Sequence, residues 1–127
     1  MPHPARMPKR KPITPRLHGV LDYSTVVACV ALPRLVGVHR NARLLFDSLA
    51  AGYGALSMAT RYPLGVKPVV SFRAHGATEI AIGAVLPAAP FLLGFAHDRT
   101  ARNLCLALTG ITAVVAALTD WNSEEAP

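Results

Sequence analysis

The stretch LHGVLDY at 17–23 opens the first long apolar block of the chain, and its reading decides the fold. Fifty-seven positions later it returns in altered form as HGATEI at 75–80. In each copy a histidine stands four residues before a carboxylate, His18 before Asp22 and His75 before Glu79. On a helix that spacing stacks both side chains on one face. Each apolar run then reaches Pro-x-Leu-x-Gly, with Pro33, Leu35 and Gly37 matching Pro90, Leu92 and Gly94. The chain therefore reads as a tandem repeat.

Composition places those repeats in a membrane. Apolar residues make up 52% of the 127 and charged ones only 16%, below the roughly 25% of an average soluble domain. The charge is concentrated between four apolar blocks. NLCLALTGITAVVAALT at 103–119 carries no charge on any face, whereas a soluble bundle helix keeps a polar stripe. The expected spans are 17–38, 44–59, 74–95 and 103–118, with Pro33 placed to bend or end the first and Pro87 and Pro90 to kink the third. Polar turns are expected at 39–43 and 97–102, and Asp47 falls within reach of Arg43. The fold expected is all-α: four transmembrane helices built from two tandem two-helix repeats in parallel orientation. A flexible basic tail covers 1–16, the first repeat 17–62, a linker 63–73, the second repeat 74–121, and an acidic tail 122–127.

A basic segment before an apolar run also suits a signal peptide. His18 and Asp22 would then lie in its apolar core, and the second copy has no cleavage to undergo, so the block is expected to stay as a span. Lys and Arg count eight in the amino tail and linker against five in the two hairpin turns. That excess puts both termini in the cytoplasm and the chain in the inner (plasma) membrane as a multi-pass protein. The net charge of +6 is met by helix flanks and anionic lipid. Few aromatics are interleaved to stack on bases, so nucleic acid is not expected as a partner. Cys29 and Cys105 stand alone inside apolar blocks, as buried small hydrophobes. Tyr62 and Trp121 close the two repeats and suit a membrane-interface belt.

His18, Asp22, His75 and Glu79 are the sharpest constellation, because an ionisable group at mid-bilayer costs roughly 2.5–3.5 kcal/mol and needs compensation. Arg61 falls on the face of Asp22, Glu79 and Asp120, which completes a candidate polar cluster. Three roles stay open for it. A polar staple joining the repeats needs no ligand. His18, Asp22, His75 and Glu79 could instead hold a divalent metal or relay protons. Haem requires the two histidines to face each other across an unobstructed gap. Small-residue rows, Ala50 and Gly54, then Thr109, Ala113 and Ala117, offer helix-packing surfaces. No phosphate loop or nucleophile elbow is present.

The chain resembles the SPW-repeat family of small bacterial membrane proteins, whose repeats each hold two transmembrane helices. The resemblance spans 13–121 and rests on His18-Gly19-x-x-Asp22-Tyr23, on Pro33-x-x-x-Gly37 with Pro90-x-x-x-Gly94, on Thr60-x-Tyr62-Pro63-Leu64-Gly65, and on Leu118-Thr119. The namesake Ser-Pro-Trp is reduced to its proline in Leu32-Pro33-Arg34 and Ala89-Pro90-Phe91, as in a divergent member. It implies the fold and location and no biochemical activity. The first reading is thus a non-enzymatic membrane protein with a structural or regulatory role through helix packing and no cofactor. It has the bilayer as surroundings and a homo-oligomer or membrane partner as company. A metal-, haem- or proton-binding module, or a small oligomeric transporter, is the alternative.

Overall fold

The computed structural model describes residues 2–5 and 9–123, and these are helical, with two isolated bridges in place of strands. Arg6 of the basic tail and Glu124 and Glu125 of the acidic tail lie outside the described residues. The elements are α1 (Pro15–Val36), α2 (Arg40–Met58), α3 (Phe72–Val85), a 3-10 turn (Leu86–Ala88), α4 (Ala89–Leu92) and α5 (Arg99–Leu118).

Local chemistry explains where each helix starts. The Thr14 hydroxyl accepts from the Leu17 amide with Pro15 in the first turn, and the Ser71 hydroxyl accepts from Ala74. Both satisfy amides that a helix start leaves without partners. The expected turns at 39–43 and 97–102 are corrected. His39 Nδ1 accepts from the Asn41 amide and Asp98 Oδ1 from Ala101, so α2 and α5 begin within those segments. Neither segment contains a Pro or Gly to stop them. α1 runs three residues past Pro33 and ends at Gly37, whose φ of 70° is matched by 75° at Gly94; both lie where a Cβ would strain the backbone. In the third block Pro87 and Pro90 lack an amide hydrogen, and the helix there tightens into the 3-10 turn and the short α4.

α1 packs on α2, and α3 on α5, as two hairpins. Arg34 donates twice to Asp47, at 2.7 and 2.9 Å, across the first hairpin, so the principal partner of Asp47 comes from α1 rather than from Arg43. At one end of the bundle the His39 amide donates to Asp98 Oδ2 at 2.7 Å and Asn41 Nδ2 to the Leu93 carbonyl. At the other end Ile13, ahead of α1, pairs with Thr119 after α5, and Val70, ahead of α3, pairs with Thr60 after α2. The two hairpins therefore run in the same direction. The tail expected over 1–16 is corrected in part, because Ile13 is buried and exchanges backbone hydrogen bonds with Leu118 and Asp120.

The apolar core gathers Cys29, Phe46, Leu86, Phe95, Cys105 and Leu108, with fully buried Ala42 and Ala101 allowing close helix approach. On α5 the packed face is Ala101, Cys105 and Leu108, which turns Ala113 and Ala117 outward. The outside of the bundle is also apolar. Val20, Val27, Ile80, Val85, Ile111 and Val114 are all exposed. α1 and α5 are long and apolar enough to cross a membrane, and only 22% and 17% of their apolar windows are buried.

Candidate functional site

The site forms where the first turns of α1 and α3 meet the segments that follow α2 and α5. His18 and Asp22 share one face of α1, and His75 and Glu79 one face of α3. Both faces turn inward: the two histidines are fully buried, and Asp22 and Glu79 nearly so. His18 Nε2 lies 3.2 Å from Asp22 Oδ1 and 3.1 Å from Glu79 Oε2. His75 Nε2 lies 3.1 Å from both Asp22 Oδ2 and Glu79 Oε1. Each carboxylate thus gives one oxygen to each imidazole, and each helix supplies one member of either type.

Two threonines orient the rings. The Thr60 hydroxyl donates to the Leu56 carbonyl at 2.6 Å, which leaves its lone pairs for His75 Nδ1 at 2.7 Å. The Thr119 hydroxyl donates to Val115 at 2.6 Å and accepts from His18 Nδ1 at 3.0 Å. A hydroxyl has one hydrogen, so the network assigns the ring hydrogen to Nδ1 in both histidines. The pairing crosses between hairpins, since Thr119 follows α5 and holds the histidine of α1, while Thr60 follows α2 and holds that of α3. Both Nε2 atoms then point into the cluster. His75 Nε2 has no hydrogen-bond partner although both oxygens lie 3.1 Å away, so a ring hydrogen there would be well aligned with neither. Lone pairs on two nitrogens facing carboxylate oxygens would repel, so positive charge belongs between them, either a proton on each ring or a cation.

Aromatic rings close the outer end. Trp121 and Phe72 lie 4.9 and 5.3 Å from the His18 ring, and Tyr62 lies 5.6 Å from His75. The glycine beside each histidine makes room for this. A Cβ at Gly76 would lie 2.6 Å from the Trp121 ring, and one at Gly19 3.1 Å from Tyr62. The Tyr62 hydroxyl donates to Asp22 Oδ2 at 2.8 Å. Burial pushes its phenol far above the usual value, so it remains a donor. On the inner side a cavity of about 60 Å³, walled by Leu21, Thr25, Tyr53 and Leu108, reaches Asp22 and Glu79.

Arg61 and Asp120 stand apart from the cluster. α2 ends at Met58, and the chain then turns so tightly that a Cβ at Gly65 would overlap the Thr60 carbonyl. Thr60 and Tyr62 face inward as a result, and Arg61 is exposed with its Nε on the Pro68 carbonyl. After α5 the extended Thr119-Asp120 pair alternates sides: Thr119 points in, and Asp120 caps the Asn122 amide. Tyr62, expected at a membrane interface, is fully buried, and Trp121 packs over His18 with its indole nitrogen on the Ala116 carbonyl. The haem expectation does not fit. The imidazole centroids are 5.2 Å apart, and the Asp22 and Glu79 carboxylates fill the approach to both Nε2 atoms. Thr60, Thr119, Tyr62 and Phe72 were not among the sequence candidates. A signal for three of them existed in the recurrence of Thr-x-aromatic at 60–62 and 119–121.

No protein-family model matches the chain, and neither a curated protein nor a solved structure matches it.

Proposed function

We propose that the chain is an integral inner-membrane protein of four spans, built as two parallel two-helix repeats of the SPW-repeat type. In this reading both termini are cytoplasmic and the role is structural or regulatory, exercised through helix packing rather than catalysis. The buried His/carboxylate cluster locks the repeats to each other. The observation that carries it is the uncovered state of α1 and α5, which are long and apolar enough to cross a membrane yet have about four-fifths of their apolar windows unburied. The core helix of a soluble protein shows the reverse, and exposed apolar helix surface of this kind suits lipid. The repeat reading is supported by the cross-paired threonines and by Gly37 and Gly94 ending corresponding runs with the same backbone sign.

α2 carries Arg40, Arg43 and Asp47, with Arg34 and Asp47 neutralising each other near the hairpin end. α3, the 3-10 turn and α4 together supply a broken third span, in which prolines are tolerated because neighbouring helices cover the freed backbone. The test is membrane extraction with a topology reporter. Alkaline carbonate should leave the chain in the membrane fraction, and a carboxy-terminal reporter active only in the periplasm should stay silent. Release by carbonate overturns the membrane reading, and an active reporter reverses the orientation.

A further inference from the structure

We propose that His18, Asp22, His75 and Glu79 form a binding site for one divalent first-row transition-metal ion of the zinc or iron(II) class, which cross-links α1 to α3. The inference rests on the cluster geometry alone and goes beyond the structural reading above. A chain that proved not to cross a membrane would leave it standing.

The donor set is the first argument. Two imidazole nitrogens and two carboxylates suit Zn²⁺ and Fe²⁺, whereas Mg²⁺ and Ca²⁺ prefer oxygen alone and Cu⁺ prefers sulfur. Both cysteines lie elsewhere, in the apolar core. Spacing is the second. One donor atom from each of the four residues can be chosen so that all lie within 4.8 Å of one another. An ion with bonds of roughly 2.0–2.2 Å spans at most about 4.0–4.4 Å between opposite donors, so the most distant pair would draw in by under about 1 Å to close on it. The neighbouring nitrogen–oxygen edges of 3.1–3.2 Å approach the roughly 3.3 Å edge of a tetrahedron with such bonds.

Orientation is the third and most specific argument. His75 Nε2 is fully buried and without a hydrogen-bond partner, although two carboxylate oxygens lie 3.1 Å away. A proton there would bond poorly to both, while a cation between them would be bonded by all three. Metal-bound histidines almost always donate the other ring hydrogen to a fixed acceptor. Thr119 and Thr60 supply that acceptor for His18 and His75, respectively. Charge is the fourth. With both imidazoles neutral, two carboxylates and a divalent ion sum to zero, which is what a site walled by Trp121, Phe72 and Tyr62 can bury. The Tyr62 hydroxyl on Asp22 Oδ2 orients one carboxylate further.

The test uses the full chain purified in detergent, stripped with a chelator and checked for helicity. Titrated with Zn²⁺ or Co²⁺ and desalted, it should retain one ion per chain and melt at a higher temperature than the stripped form. X-ray absorption of the Zn²⁺-loaded wild type should count two imidazoles and no sulfur. Thr60→Val should weaken the ion about 10–100-fold while leaving all four ligands in place. Stripped, helical wild type that retains no Zn²⁺ or Co²⁺ overturns the proposal. So does a bound ion with sulfur or without imidazole neighbours, and so does full retention by the His18→Ala, His75→Ala double variant. The first two outcomes need no substitution, so the wild type decides the matter even where a variant fails to fold.

Discussion

Two pairs of histidines face each other at opposite ends of the bundle, and their surroundings set them apart. The His18 and His75 rings are 5.2 Å apart and nearly perpendicular, and the His39 and His97 rings are 5.3 Å apart in the same attitude. At the first end both rings are fully buried, each Nδ1 is held by a threonine, and two carboxylates face both Nε2 atoms. At the second end His97 is exposed, His39 caps the helix start beside it, and Asp98 accepts from backbone amides. Ring proximity alone therefore does not make a site. Burial that raises the cost of an unpaired group, and fixed partners that aim the free nitrogen, do.

The sharpest way to break this comparison is to remove one partner at each end. Asp22→Ala leaves the two buried imidazoles sharing one carboxylate and takes the acceptor from the Tyr62 hydroxyl, and should cost about 3–5 kcal/mol in a reversible unfolding titration in micelles. His97→Ala should stay within about 0.5 kcal/mol by the same assay. Removing His18 as well as Asp22 should cost less than the sum of the two single losses, because the groups share partners. Comparable losses at both ends, or additive effects at the first, would dissolve the distinction.

A middle-sized effect is expected from the aromatic closure. Gly76→Ala puts a methyl into the Trp121 ring, and should cost about 1–3 kcal/mol through overpacking. Gly52→Ala meets no neighbour and should hold or gain up to about 1 kcal/mol from helix propensity. Denaturation of the two variants side by side decides whether the glycine beside the histidine is a packing requirement. Equal stabilities would remove the closure from the account.

The smallest effect belongs to the far end and to acid. The amides of Ala101 and His39 hold the Asp98 carboxyl below the usual carboxylate range. Its contribution is complete above the unfolded value of roughly 3.9 and fades as pH falls through the lower folded one. Asp98→Ala should lose about 1 kcal/mol near neutrality as a missing helix cap. The gap to wild type should then close in acid, read from stability measured across that range. A gap that stays constant down to the lowest pH would mean that the charge of Asp98 plays no part.

Much of this architecture is written in local spacing. A histidine and a carboxylate four residues apart share a helix face wherever the helix lies, so the pairing within α1 and within α3 needs no tertiary information to anticipate. Proline and glycine act on their own backbone, which is why Pro87 and Pro90 mark the break in the third block and Gly37 and Gly94 end the runs before the hairpin turns. Helix starts were less legible, because His39 and Asp98 cap through side chains whose conformations composition does not reveal.

The membership of the cluster was decided elsewhere. Arg61 and Tyr62 are neighbours, and only the tight turn against Thr60 sends the phenol inward and the guanidinium out. Thr119 and Asp120 are separated in the same way by one step of extended chain paired to Ile13. By itself the sequence determined the helices, their apolar blocks and the two His/carboxylate faces, since these follow from interactions within a few residues. Only the tertiary structure decided that the faces meet, that each threonine crosses to the other hairpin's histidine, and that His75 Nε2 is left without a hydrogen-bond partner beside two carboxylates. Those relations join residues 15 to 101 positions apart, and packing of whole hairpins fixes them, not spacing along the chain.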